Sequence, residues 1–114
     1  MRVLFDKSVP YGTRQFLTNH QVETVDQHGW ERISNGELLN TAEGAGFDVV
    51  VTADQNIIYQ QNLKGRQIAL VVLGSNIWPI VRSHEKTIRE RVNAAVPGNS
   101  TFIEMPIPPR KAGP

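Results

Sequence analysis

The chain has 114 residues and a mass of 12.7 kDa, enough for one domain but too little for two pieces that each bury a core. Apolar residues at 39% and charged residues at 20% give a globular composition, and the absence of cysteine excludes disulfides, a thiol nucleophile and every cysteine-ligated metal site. Net charge is +1, yet residues 1–57 carry four basic against eight acidic side chains and residues 58–114 eight against three, a polarity that ordinary surface charge explains first and that also suits a cation site beside a polyanion-binding rim.

Val3-Leu4-Phe5 opens the chain as a short buried strand ended by Asp6. Pro10 suits the first turn of a helix over roughly 10–19, with Thr13, Phe16 and Leu17 on one side. Val22 and Val25 mark a second strand, ended by the polar run Asp26–Gly29. Ser34 and Glu37 have the spacing of a capping box before Leu38, Leu39 and Ala42 at helical period, and Gly44 and Gly46 end that helix. Asp48–Thr52 is the clearest strand, and Asp54 is placed to cap a short helix through Ile57, Ile58 and Gln61 that Gly65 terminates. Ile68–Leu73 is another fully apolar strand. Pro79 begins a longer helix with the stripe Ile80/Val81, His84, Ile88, Val92 and Ala95, stopped by Pro97-Gly98. Thr101–Ile103 reads as an edge strand, and the chain from Pro106 onward as a disordered, proline-rich tail after a domain over residues 1–105.

Strands therefore alternate with helices along the chain. Continuous β-branched runs, rather than alternating ones, predict strands covered on both faces, hence a parallel sheet with helices on either side. No apolar run approaches the roughly 20 residues of a spanning helix, and Met1–Asp6 lacks the apolar core of a signal peptide, so a cytoplasmic location without a membrane partner is expected.

In such sheets ligands bind beyond the carboxyl ends of the strands, where the order of strands reverses. Three acids fall at that edge: Asp6 after the first strand, Asp54 two residues past the third, and Glu37 in the first turn of the helix after the second. Unit charges about 4 Å apart repel by about 4 kcal/mol at an effective dielectric constant near 20, so converging carboxylates need a proton or a cation. Hard oxygen donors without His or Cys select Mg²⁺ or Mn²⁺, either of which orients a phosphodiester and activates water for in-line attack. Two of the acids also have a purely structural role open to them, Glu37 in the capping box and Asp54 as an N-cap, whereas Asp6 directly after a buried strand is costly without a purpose. Tyr59, Gln60 and Gln61 offer either stacking and hydrogen bonding to bases or the polar face of a short helix, and Arg66 either charge for phosphates or a solvated helix face. His20 and His28 read as surface residues, His84 as a partly buried structural histidine, and Trp30 and Trp78 as core or interface anchors.

Phe5-Asp6-Lys7-Ser8-Val9-Pro10 resembles the L-D-E-N-V-P opening of PIN-like proteins of the kind found among bacterial toxin components, and Thr52–Asn56 resembles their T-x-D-x-D segment. Asn35–Leu39, Gly46–Val49, Thr52–Asn56, Tyr59–Leu63 and Trp78-Pro79 are similar to one branch of that family, and the order of elements agrees over about 105 of the 114 residues. The resemblance implies a three-layer α/β/α PIN-like fold with a parallel five-stranded sheet ordered 3-2-1-4-5. It also implies a Mg²⁺- or Mn²⁺-dependent endoribonuclease, of the type that serves as the toxin of a toxin–antitoxin pair. Asp6, Glu37 and Asp54 would be its metal ligands, Asn56 an assisting ligand or water-positioner, and Lys7 a phosphate contact. The expected partners are RNA and a small antitoxin protein, with a homodimer left open. Three positions depart from the pattern: Lys7 stands where relatives often have Glu, Asn56 replaces the second Asp, and Asn35 replaces an acid opening the second helix. These departures favour an alternative, a PIN-like module that binds RNA or a protein partner without hydrolysis. A third reading, a phosphoacceptor receiver centred on Asp54, lacks the acidic pair after the first strand and a lysine after the last.

Overall fold

Val49–Thr52 and Ala69–Leu73 have no solvent-facing side, because every residue in them is buried, so both require partners on each flank and cover above and below. A computed structural model, which describes residues 1–57 and 62–106, places both in the middle of a sheet. In chain order the elements are β1 (Arg2–Phe5), a 3₁₀ helix (Tyr11–Phe16), β2 (Gln21–Thr24), α1 (Val25–His28), α2 (Asn35–Gly44), β3 (Val49–Thr52), β4 (Ala69–Leu73), α3 (Trp78–Ser83), α4 (Glu85–Asn93) and β5 (Ser100–Ile103). The five strands are all parallel, in the order β2-β1-β3-β4-β5, with Val3 opposite both Val22 and Val49, Val50 opposite Leu70, and Val72 opposite Phe102.

Side chains alternate between two cores. Val3, Phe5, Val49, Val51, Val71 and Leu73 face the 3₁₀ helix, α3 and α4 through Phe16, Val81, Ile88 and Val92. Leu4, Val50, Leu70 and Val72 face α1 and α2 through Val25, Leu38, Leu39 and Ala42, joined by Ile57 and Leu63. The molecule is thus a three-layer α/β/α fold, as its β-branched runs require. Among the described residues no helix is long and apolar enough to cross a membrane.

The strand order corrects the expected 3-2-1-4-5. That arrangement would leave β3 on an edge, with four buried residues beside open solvent. Instead the edge is β2, whose residues are exposed or only partly buried, and β3 pairs directly with β1. Other boundaries move for local reasons. The helix predicted over 10–19 is one short 3₁₀ segment. The second strand stops at Thr24 because Thr24 and Gln27 form a capping box that starts α1 at Val25, and Gly29 ends α1 with a left-handed backbone. The long helix from Pro79 is two helices broken at His84, where the Ser83 hydroxyl and the His84 ring both bond the Ile80 carbonyl. Ser34 does precede α2, but its side chain makes no cap bond, so the predicted box with Glu37 is not formed. Trp30 and Trp78 pack against the two cores. The tail beyond Pro106 lies outside the described residues.

Candidate functional site

In the order 2-1-3-4-5 the chain reverses direction between β1 and β3, so the crevice for a ligand lies beyond the carboxyl ends of those two strands. Asp6 and Asp54 stand there. The Asp6 amide donates to the Val51 carbonyl at 2.9 Å, which carries the β1–β3 ladder one residue past the strand and fixes Asp6 beside β3. Its carboxylate Oδ2 accepts the Ser8 hydroxyl at 2.8 Å and the Thr52 hydroxyl at 2.9 Å. Thr52, only 1% exposed, also accepts the Asp54 amide at 3.1 Å, so one buried hydroxyl spans both acids. Ser8 closes the link from the other loop by accepting the Ala53 amide at 2.9 Å.

Asp54 is held from two sides. Asn35 at the start of α2 donates its side-chain amide to Oδ2 at 2.9 Å, and the Asn56 backbone amide donates to Oδ1 at 3.0 Å. The Asn35 bond brings the first turn of α2, with exposed Glu37 two residues further on, toward the same edge. Asn56 is exposed beside Asp54. Lys7 is exposed next to Asp6 and forms an ion pair with neither Asp6 nor Asp54.

Arg66, expected at the substrate, is not part of this gathering. It precedes β4 at the opposite edge of the sheet, and its guanidinium is taken up by Asn40 at 2.7 Å and Glu43 at 3.2 Å. Tyr59, Gln60 and Gln61 lie outside the described residues. Ser8 and Thr52 were not singled out from the sequence. The available signal was a hydroxyl two positions from each acid, close enough to bond a carboxylate or a loop amide.

The donor set is all oxygen and hard, as Mg²⁺ and Mn²⁺ prefer. Among the described residues no three His, Asp or Glu side chains form a ready cage. A two-carboxylate site nevertheless fits Mg²⁺, which retains several waters and is commonly bound by one or two carboxylates plus substrate phosphates. Hydrogen bonds from Ser8, Thr52, Asn35 and Asn56 occupy part of the carboxylates' capacity and aim the remainder, the usual task of groups around a metal ligand.

A second polar gathering tethers β1, β2, α1 and the turn before β3. The Arg2 guanidinium bonds Glu23 at 3.2 Å and the Ala45 carbonyl at 2.6 Å and lies 4.2 Å from the Phe47 ring centroid. Glu23 also accepts from His28 Nε2 at 2.8 Å, and the His28 ring stacks on Trp30 with centroids 4.3 Å apart. His28 is therefore a partly buried member of a cluster, not the surface residue expected. The His28 hydrogen bond, aided by Arg2 and opposed by burial, holds the Glu23 carboxyl below its usual range.

Compared with protein-family models, curated proteins and solved structures, the chain matches none. The functional reading therefore stands on the residues themselves.

Proposed function

We propose that the Asp6–Asp54 site binds Mg²⁺ or Mn²⁺ and that the protein is a PIN-like endoribonuclease. The observation that carries this reading is the Thr52 hydroxyl, which donates to the Asp6 carboxylate and accepts the Asp54 backbone amide at the switch point of the sheet, so that both acids stand on one anchor. A bound divalent ion would supply charge to polarise the phosphodiester and acidify water. In this reading Asp6 and Asp54 would hold the ion, and Glu37 would join them only after moving in from the start of α2. Ser8 and Thr52 orient Asp6, Asn35 and Asn56 orient Asp54, and Lys7 meets a phosphate of the RNA. A role as toxin, with a small antitoxin protein as partner, belongs to the same proposal and rests on the sequence resemblance alone.

Mn²⁺ titration by calorimetry, run alongside cleavage of a mixed RNA pool, tests it. Wild-type protein should cleave only with the metal. Asp6→Asn should abolish cleavage and weaken Mn²⁺ binding while the circular dichroism spectrum is kept. Cleavage that persists in EDTA or in Asp6→Asn overturns the reading. A second reading, binding of RNA or a protein without hydrolysis, is favoured by one contact: a neutral amide, Asn35, occupies Asp54 Oδ2. It predicts RNA association without turnover.

A further inference from the structure

A cavity of about 510 Å³ opens beside Asp6 on the β2 side, walled by Asp6, Lys7, Pro10, Tyr11, Thr24 and Asp26. Its volume is in the range of small-ligand sites, about 300–1,000 Å³. Asp6 is a wall common to this cavity and the cation site, since its Oδ2 is turned toward Ser8 and Thr52. Whatever fills the cavity is therefore a neighbour of whatever binds at the switch point.

The lining selects the chemistry. Two carboxylates against one ammonium repel an anion from the interior, while Lys7, exposed beside Asp6, can meet a phosphate at the mouth. An uncharged group with N–H donors suits the interior, because an ionised carboxylate only accepts. Tyr11 is 58% exposed, unusual for so large a ring, and the Arg14 guanidinium carbon lies 4.2 Å from its ring centroid. An exposed ring backed by a guanidinium is a stacking platform for a planar heterocycle. Pro10 and the 3₁₀ turn that follows fix the ring's backbone.

We propose that this cavity is a nucleobase subsite for the residue of a single-stranded RNA adjoining the phosphate held at Asp6. Its base stacks on Tyr11, its donor edge meets Asp26, and its phosphate meets Lys7. Guanine matches Asp26 best, since its adjacent N1–H and N2–H₂ donors face the two oxygens of one carboxylate, whereas uracil offers a single N–H. The subsite rests on the RNA reading of the switch-point site.

Short single-stranded RNAs carrying one fluorescent guanine analogue that keeps the N1–H and N2–H₂ donors are the probe, with fluorescence anisotropy for affinity and quenching of that base for stacking. Tyr11→Ala should lower affinity by about tenfold or more and remove the quenching, and Tyr11→Phe should keep both. Asp26→Asn should narrow the preference for guanine over uracil at one position. Equal affinity and quenching in wild type and Tyr11→Ala overturns the subsite, as does failure of the wild type to bind the RNA. Mn²⁺ titration of wild-type protein without RNA reports separately on the cation site, so either reading can fall while the other stands.

Discussion

Thr52 does what neither of its neighbours can. A hydroxyl donates and accepts at once, so it can satisfy a carboxylate and a backbone amide from a single buried point. Valine has nearly the same shape and neither capacity. Thr52→Val should destabilise the fold by about 1–3 kcal/mol, because it leaves the Asp54 amide without its acceptor and Asp6 with one donor fewer. Thr52→Ser should recover most of that loss. Urea unfolding of the three proteins reads the stability effect, and Mn²⁺ affinity measured in parallel should fall with valine and return with serine. An unchanged Mn²⁺ affinity in a folded Thr52→Val protein would mean that the hydroxyl serves the fold alone.

Among the elements, the 3₁₀ helix shows how tightly the outer layer meets the rest. Gly12 faces the Trp78 ring of α3 so closely that a Cβ at that position would lie 2.6 Å from a ring carbon, and the same ring stacks on Phe16 with centroids 5.8 Å apart. Gly12→Ala should therefore cost about 1–3 kcal/mol through overpacking, seen as a lower urea midpoint with an unchanged slope. Gly29 has open space around its Cβ position and is needed instead for its left-handed backbone.

The elements also show which signals in the chain were readable. The central strands were legible because buried apolar runs such as Val49–Val51 and Ala69–Leu73 have few alternatives, whereas half-exposed β2 rested on Val22 and Val25 alone, and Val25 belongs to α1. The place of Asp6 at the carboxyl edge was legible because it directly follows a buried strand, where an acid is costly without a purpose, and that of Asp54 because it lies two residues past another, although a plain N-cap explained it equally well. Helix ends were harder. Thr24 and Gln27 carry the same box signature as Ser34 and Glu37, yet only the first pair forms it, since the start of α2 is tied to Asp54 through Asn35. The break at His84 depends on which carbonyl its ring reaches, and no periodicity records that. The order 3-2-1-4-5 that the resemblance implies runs against a fact visible in the residues: a run apolar on both faces, such as Val49–Val51, belongs inside a sheet.

At the scale of the molecule, one carboxylate ties stability to pH. Glu23 bonds His28 and Arg2, and these contacts depress its pKa below the ordinary 4.5. A depressed carboxyl contributes stability that is complete above the unfolded value and is lost as pH falls through the lower, folded-state value. Melting temperature should therefore drop as pH is taken from about 5 toward 3. Glu23→Gln should be less stable near neutrality and show a shallower drop over that interval. A slope unchanged by the substitution would assign the acid sensitivity to other groups.

The interior position of β1, between β2 and β3, bears on how the protein assembles. Its two neighbours are Gln21–Thr24 and Val49–Val51, so a nascent polypeptide growing from β1 toward β5 can cover one flank early but must wait for the middle of the sequence before the other is covered. Until then Val3, Leu4 and Phe5 present a sticky, half-satisfied ribbon. Parallel pairing between such distant segments is intrinsically slow, so the hazard of misassociation is greatest during that wait, and a chaperone that shields the first strand would relieve it.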